Sequence, residues 1–285
     1  MKGSYESDGA RLAFSDTGAG LPVVFLHPTP LDGDYWRPLA NQLAGVRAII
    51  PDLRGHGCSE LGKDLPQGGF ALVPDAPVMS MAQLATDVLA LLDHLELQQA
   101  VFTGCSIGGY VLLELWRQAP ERMRGLAFVC SKPQPDAEAN LTKRAANIKL
   151  VRTGSATALF DGMAQTLTGT TARERHPQMV AELRARMTLT DEALIAVQAG
   201  LATRPDSVPT VATITVPVLA IAGGEDPGVT ATEMQTLHAA PGGCEFHLLP
   251  DAGHFAAFEQ PKKVAALLAE WLRQLDAKTS ILTRD

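Results

Sequence analysis

The chain has 285 residues, enough for one sizeable α/β domain carrying an inserted subdomain. Its 46% hydrophobic and 19% charged residues fit a folded globule with a large core, which excludes a disordered or fibrous chain. A net charge of −7 without a basic stripe argues against nucleic acid and anionic membrane surfaces as partners.

The first residues, MKGSYESDGARLAF, lack an apolar stretch of signal-peptide length, and no later segment approaches a membrane span. The expectation is a cytoplasmic protein. Four cysteines (Cys58, Cys105, Cys130 and Cys244) show no C-x-x-C spacing and read as reduced thiols rather than metal ligands.

Along the chain, β-rich apolar runs alternate with helical patterns. Strands are expected at 11–15, 23–27 and 48–52. The Gly- and Pro-rich stretch 61–78 is long for a connection and is expected to border a site entrance. Ser80-Met81-Ala82-Gln83 forms a capping-box pattern ahead of an amphipathic helix reaching Leu97. Further strands are expected at 100–105 and 126–130.

The alternation then stops. Residues 131–213 contain helical segments such as 140–151 and 178–187 and no convincing strand, which reads as a helical cap over the C-terminal edge of a sheet. Met163, Met179 and Met187 in this stretch fill the core or form an apolar wall. Strands resume at 218–222 and 245–249. Val264, Leu267, Leu268, Trp271, Leu272 and Leu275 then make one face of a final helix. The expected fold class is α/β, a mostly parallel sheet with helices on both faces and an inserted helical cap. Its parts are a core at 1–130 and 214–276, a cap at 131–213 and a flexible tail at 277–285.

The chemistry centres on Gly104-Cys105-Ser106-Ile107-Gly108, where a strand turns sharply into a helix. A serine at such a turn stands clear of the sheet, and the glycines let strand and helix approach. The motif alone is common, so the surrounding loops decide. A serine hydroxyl needs a base and an acid, and this topology orders them Ser, then Asp or Glu, then His, each after a later strand. His254 follows the 245–249 strand in a Gly-containing loop and is the expected base. Glu225, Asp226 and Asp251 compete for the acid. Adjacent residues at a strand end point oppositely, and Asp226, held before Pro227, has the shorter side chain suited to an imidazole N–H. Two backbone N–H groups should face the developing oxyanion, one from Ile107 and one from Thr29, because Pro28 and Pro30 lack that group. Trp36 and Phe255 are candidate pocket aromatics.

The stretches LHPTPLDGDYW, IIPDLRGHGCSE, FTGCSIGGYV, PERMRGLAFVCS, VPVLAIAGGEDP and LPDAGHFAAFEQP occur in this order. Over nearly its whole length the chain resembles the α/β-hydrolase superfamily, most closely the lid-bearing carboxylesterases and the hydrolases like 3-oxoadipate enol-lactonase. The resemblance implies catalysis by Ser106, His254 and Asp226, with Thr29 and Ile107 at the oxyanion hole. One departure is His27-Pro28 where the family usually has His-Gly, which reshapes the oxyanion loop and gives His27 a bracing role. The implied activity is hydrolysis of a small carboxylic ester or lactone with no metal or organic cofactor. Carbon–carbon cleavage, lyase or acyl-transfer chemistry on the same residues is the alternative, and ligand sensing without turnover is a third reading. Substrate size and oligomeric state are not set by the sequence.

Overall fold

The computed structural model describes residues 2–282, and side chains through 275. Eight strands form one sheet in the order β1-β2-β4-β3-β5-β6-β7-β8. The first two are β1 (Lys2–Ser7) and β2 (Ala10–Gly18), followed by β3 (Leu21–Leu26) and β4 (Val46–Pro51). The rest are β5 (Ala100–Cys105), β6 (Met123–Val129), β7 (Val218–Gly223) and β8 (Cys244–Leu249). Strands β3 to β8 run parallel, while β1 and β2 join antiparallel at one edge. The expected strands all fall on these elements. Only β1 was not foreseen. Its sequence KGSYES is largely exposed and polar, and only Tyr5 and Ser7 face inward.

Helices cover both faces of the sheet. The core helices are α1 (Arg37–Ala40), α2 (Met81–His94) and α3 (Ile107–Gln118). Between β6 and β7 lie α4 (Glu138–Arg152), α5 (Ala156–Leu167), α6 (Thr170–Arg175), α7 (Pro177–Ala185), α8 (Asp191–Ala202) and α9 (Val208–Val211). The last are α10 (Ala231–Met234), α11 (Ala256–Glu259) and α12 (Pro261–Leu282). Strand β6 shows the two layers. A Cβ on Gly125 would touch Trp271 and Leu275 of α12, whereas Phe128 packs on Gly109 of α3. Strand β5 is buried at every position, as a central parallel strand must be.

Several local expectations resolve differently. Ser80 does cap α2, accepting from the Gln83 N–H at 3.0 Å, but the Gln83 side chain reaches forward to Asp87 rather than back, so only half of the capping box forms. Asp87 holds the N-terminal edge of the sheet. Its carboxylate takes two bonds from Arg54, at 2.8 and 2.6 Å, and one from the Ser7 hydroxyl at 2.7 Å. Helix α12 continues through 277–282, where a flexible tail was expected, and residues 283–285 of that tail lie outside the described residues. Among the described residues no helix is long and apolar enough to cross a membrane.

Candidate active site

Parallel strands deliver their following loops to the same edge of a sheet. Here the loops after β3, β5, β7 and β8 carry Thr29, Ser106, Asp226 and His254 respectively. The chain runs from β3 outward to β4 on one side, then returns to place β5 on the other, so Thr29 and Ser106 flank a topological switch point. Open α/β sheets form their ligand crevice at such a point.

Ser106 sits at the junction of β5 and α3 with φ +52° and ψ −117°, a backbone region that non-glycine residues rarely enter. Its surroundings hold it there. Its N–H donates to the Val129 carbonyl at 3.2 Å, and its own carbonyl accepts from the Ser131 hydroxyl at 2.8 Å. A Cβ on Gly104 would lie 2.4 Å from the Gly108 carbonyl carbon, and one on Gly108 would lie 2.2 Å from the Leu26 oxygen. Both glycines are therefore required by the close approach of strand and helix. Ile107 begins α3, where the first backbone N–H groups have no partner within the helix.

His254 Nδ1 donates to Asp226 Oδ2 at 2.8 Å, and both side chains are buried. The other oxygen, Asp226 Oδ1, accepts from the Gly228 and Val229 N–H groups at 2.8 and 3.1 Å. With Nδ1 protonated toward the carboxylate, Nε2 of the neutral ring is an acceptor. Ser106 and His254 line one cavity of about 350 Å³ together with Thr29. Among the described residues His254 bonds to Asp226 and not to Ser106, which meets it as a second wall of that cavity.

The competing carboxylates have other work. Glu225 turns away from His254 and accepts from the Thr171 N–H and hydroxyl at 2.8 and 2.7 Å, at the start of α6. Asp251 is exposed. A third carboxylate, Glu259, was not weighed in the sequence. It accepts from the N–H groups of Gly169, Gly253 and Phe255 at 3.0, 2.9 and 3.2 Å, tying the histidine loop to the inserted helices, and burial raises its pKa. The His254 N–H joins the same contact by donating to the Leu167 carbonyl at 2.8 Å.

The loop after β3 is organised by two fully buried histidines. His27 accepts the Leu53 N–H on Nε2 at 2.9 Å, which leaves Nδ1 to donate to the Pro28 carbonyl at 3.1 Å. His56 was also overlooked in the sequence. Its Nδ1 donates to the Arg54 carbonyl at 2.9 Å, so Nε2 accepts from the Thr29 hydroxyl at 3.0 Å. Burial lowers the pKa of His27 to about 4 and that of His56 to about 3, the latter helped by His27 next to it. The Thr29 hydroxyl proton is thereby engaged, and the backbone N–H is its other donor. The Thr29-Pro30 peptide is cis.

Cys105 is fully buried beneath the serine, where desolvation pushes its thiol far above the usual range and removes it as a thiolate. Several expected pocket residues lie elsewhere. Trp36 packs in the core against Phe25 and Tyr35, and Phe255 is buried behind the His254 ring. Of the three methionines only Met163 lines the cavity. The 61–78 stretch contributes nothing to its wall; Val73 and Ala76 pack instead against Ile148 of α4 and Ala199 of α8. The remaining wall was not foreseen: Lys132, Asn140, Arg144, Asn147 and Arg204 all face the cavity.

The family model described as the alpha/beta hydrolase family matches residues 23–267. The chain belongs to that family. Among curated relatives, a putative non-heme bromoperoxidase of Mycobacterium tuberculosis is 26% identical, over 93% of this chain and 99% of its own. The 3-oxoadipate enol-lactonase 2 of Acinetobacter baylyi is 30% identical, over 75% of this chain and 74% of its own. Among solved structures, a thermophilic esterase from Thermogutta terrifontis with malate bound superimposes with a TM-score of 0.84 at 31% identity, over 93% of this chain and 94% of that one. The chain is thus a hydrolase enzyme.

Proposed function

We propose that this α/β-hydrolase cleaves a small carboxylic ester or lactone by way of an acyl-enzyme on Ser106. The observation that carries the reading is His254, held by the buried Asp226, on the wall of the same cavity as a serine held at φ +52°. Ser106 Oγ attacks the carbonyl while His254 Nε2 takes its proton. Asp226 fixes the ring tautomer and stabilises the imidazolium that forms. The N–H groups of Ile107 and Thr29 receive the developing oxyanion, and a water deprotonated by His254 then releases the acid. Residues 131–213 act as the cap that closes this chamber. The enol-lactonase and esterase relatives, at 30% and 31% identity, support an ester or lactone over other acyl compounds.

A fluorophosphonate probe and a chain-length series of p-nitrophenyl esters test the reading directly. Ser106 becomes labelled and short acyl chains turn over, whereas Ser106→Ala loses labelling and at least about a thousandfold in kcat with unchanged Tm. Labelling without ester turnover would move the reaction to carbon–carbon cleavage or acyl transfer. Undiminished turnover by Ser106→Ala would end the proposal.

A further inference from the structure

Strand β8 ends the sheet, and among the described residues no strand lies beyond it. An open edge is a template for another strand, and folds commonly blunt it with charges, bulges or proline. The direction of each backbone group on this edge follows from the pairing on its inner side. The Val218 N–H donates to the Gly243 carbonyl at 2.9 Å and the Gly224 N–H to the Leu249 carbonyl at 2.8 Å, with the register between β7 and β8 unbroken in between. In a parallel ladder alternate residues turn both backbone groups to the same neighbour, so Glu245 and His247 serve β7. Cys244, Phe246 and Leu248 therefore aim their N–H and C=O groups away from the sheet.

The side chains make this edge complementary to itself. On one face, Glu245 and His247 are about one-third exposed and already paired along the strand, His247 Nε2 lying 2.6 Å from Glu245 Oε1. The Nδ1 atom of that ring has no hydrogen bond among the described residues and is left for a second carboxylate. On the other face, Cys244 and Phe246 are half-buried, with Phe246 against the His238 ring, and Leu248 is 49% exposed. An antiparallel copy related by a two-fold axis at Phe246 sets Phe246 against the partner's Phe246 and Cys244 against the partner's Leu248. Each such pair exchanges both backbone bonds. Glu245 then meets the partner's His247, in the alternate pairing where side chains stand closest. No other axis position matches them, because the acid and the imidazole lie one residue to either side of Phe246.

We infer that β8 docks antiparallel on β8 of a second copy of this chain, about a two-fold axis at Phe246, to give a homodimer with one continuous sheet. The polar residues that would blunt this edge toward other strands select this one, and Leu248 is covered by the partner's Cys244. The inference is independent of the hydrolytic reading, since none of residues 244–248 lines the cavity of Ser106.

Sedimentation equilibrium on the full chain, from about 1 to about 100 µM, resolves a monomer–dimer equilibrium for the wild type. Glu245→Lys sets a lysine opposite the partner's imidazole, and His247→Glu sets carboxylate against carboxylate. Each alone raises the dimer Kd by about tenfold or more, since the mismatch occurs twice across the axis. Mixed one to one, the two variants pair with each other: the introduced lysine meets the introduced glutamate, and the native His247 of one chain meets the native Glu245 of the other. The Kd of this mixed dimer returns to within about threefold of wild type, and native mass spectrometry with one variant isotope-labelled identifies it. Unchanged thermal unfolding of both variants shows that the fold is kept. A wild type that stays monomeric throughout overturns the inference, as does a dimer equally tight in both single variants or a mixture that associates no better than its parts.

Discussion

Asp226 commits both carboxylate oxygens to fixed donors, one to His254 and one to two backbone N–H groups. That division predicts how an isosteric change would act. In Asp226→Asn the side chain carries one acceptor and one donor group, so either the turn or the imidazole faces an N–H where it needs an oxygen. The turn offers two N–H groups, and keeping them satisfied forces the amide NH₂ toward His254, which selects the tautomer protonated on Nε2. The ring can then no longer accept from Ser106. The expected result is a fall in kcat of about 10³- to 10⁴-fold, with Tm within about 5 °C of wild type. Stopped-flow acylation with p-nitrophenyl acetate measures the first and thermal unfolding the second. Retained acylation would show that His254 takes its orientation from elsewhere.

At the level of elements, legibility in the sequence followed the direction in which each element is buried. Strands β3 to β8 are apolar enough to announce themselves, and the Ser106, Asp226 and His254 loops were found because each follows such a strand. Strand β1 escaped because an edge strand with one inward face carries few apolar residues. The polar wall escaped for a different reason. Asn140, Lys143, Arg144 and Asn147 lie at helical spacing on α4, a pattern that normally reads as a face in water, yet here that face looks into the cavity. His56 and Glu259 went unnoticed because what marks them is contact across sequence, not local pattern. Adjacent Glu225 and Asp226 show the strand-end alternation at work, one toward α6 and one toward His254. Removing the Glu225 carboxylate should therefore loosen the inserted helices rather than abolish chemistry. In Glu225→Ala the N–H of Thr171 loses its side-chain acceptor, for a loss of about 1–2 kcal/mol. KM should rise several-fold while kcat falls less than about threefold, measured together with urea unfolding. A collapse of kcat with unchanged KM would contradict this division.

Over the whole molecule, two neutral histidines buried side by side couple the loop beneath the site to pH. The His27 and His56 rings lie 5.0 Å apart, and folding lowers their pKa values to about 4 and about 3 from an ordinary 6.5. Above pH 6.5 neither the folded nor the unfolded chain protonates them, and they leave stability independent of pH. Below it the unfolded chain binds protons that the folded chain refuses, so stability falls as pH falls, down to the folded pKa values. From pH 7 to pH 5 the two together should remove on the order of 2–4 kcal/mol. Asp32 and Glu259 act oppositely, because burial raises both pKa values and the folded chain then takes up protons more readily than the unfolded one. They offset part of the loss. Urea unfolding across this range should show a declining midpoint. His27→Gln keeps an acceptor for Leu53 and lacks the titration, so its midpoint should start lower at pH 7 and decline less steeply. A wild-type midpoint flat from pH 7 to pH 5 would mean that the buried pair accepts a proton in the folded state. The Thr29 hydroxyl would then have lost its acceptor on His56, and the loop that sets Thr29 would be reorganised at mildly acidic pH.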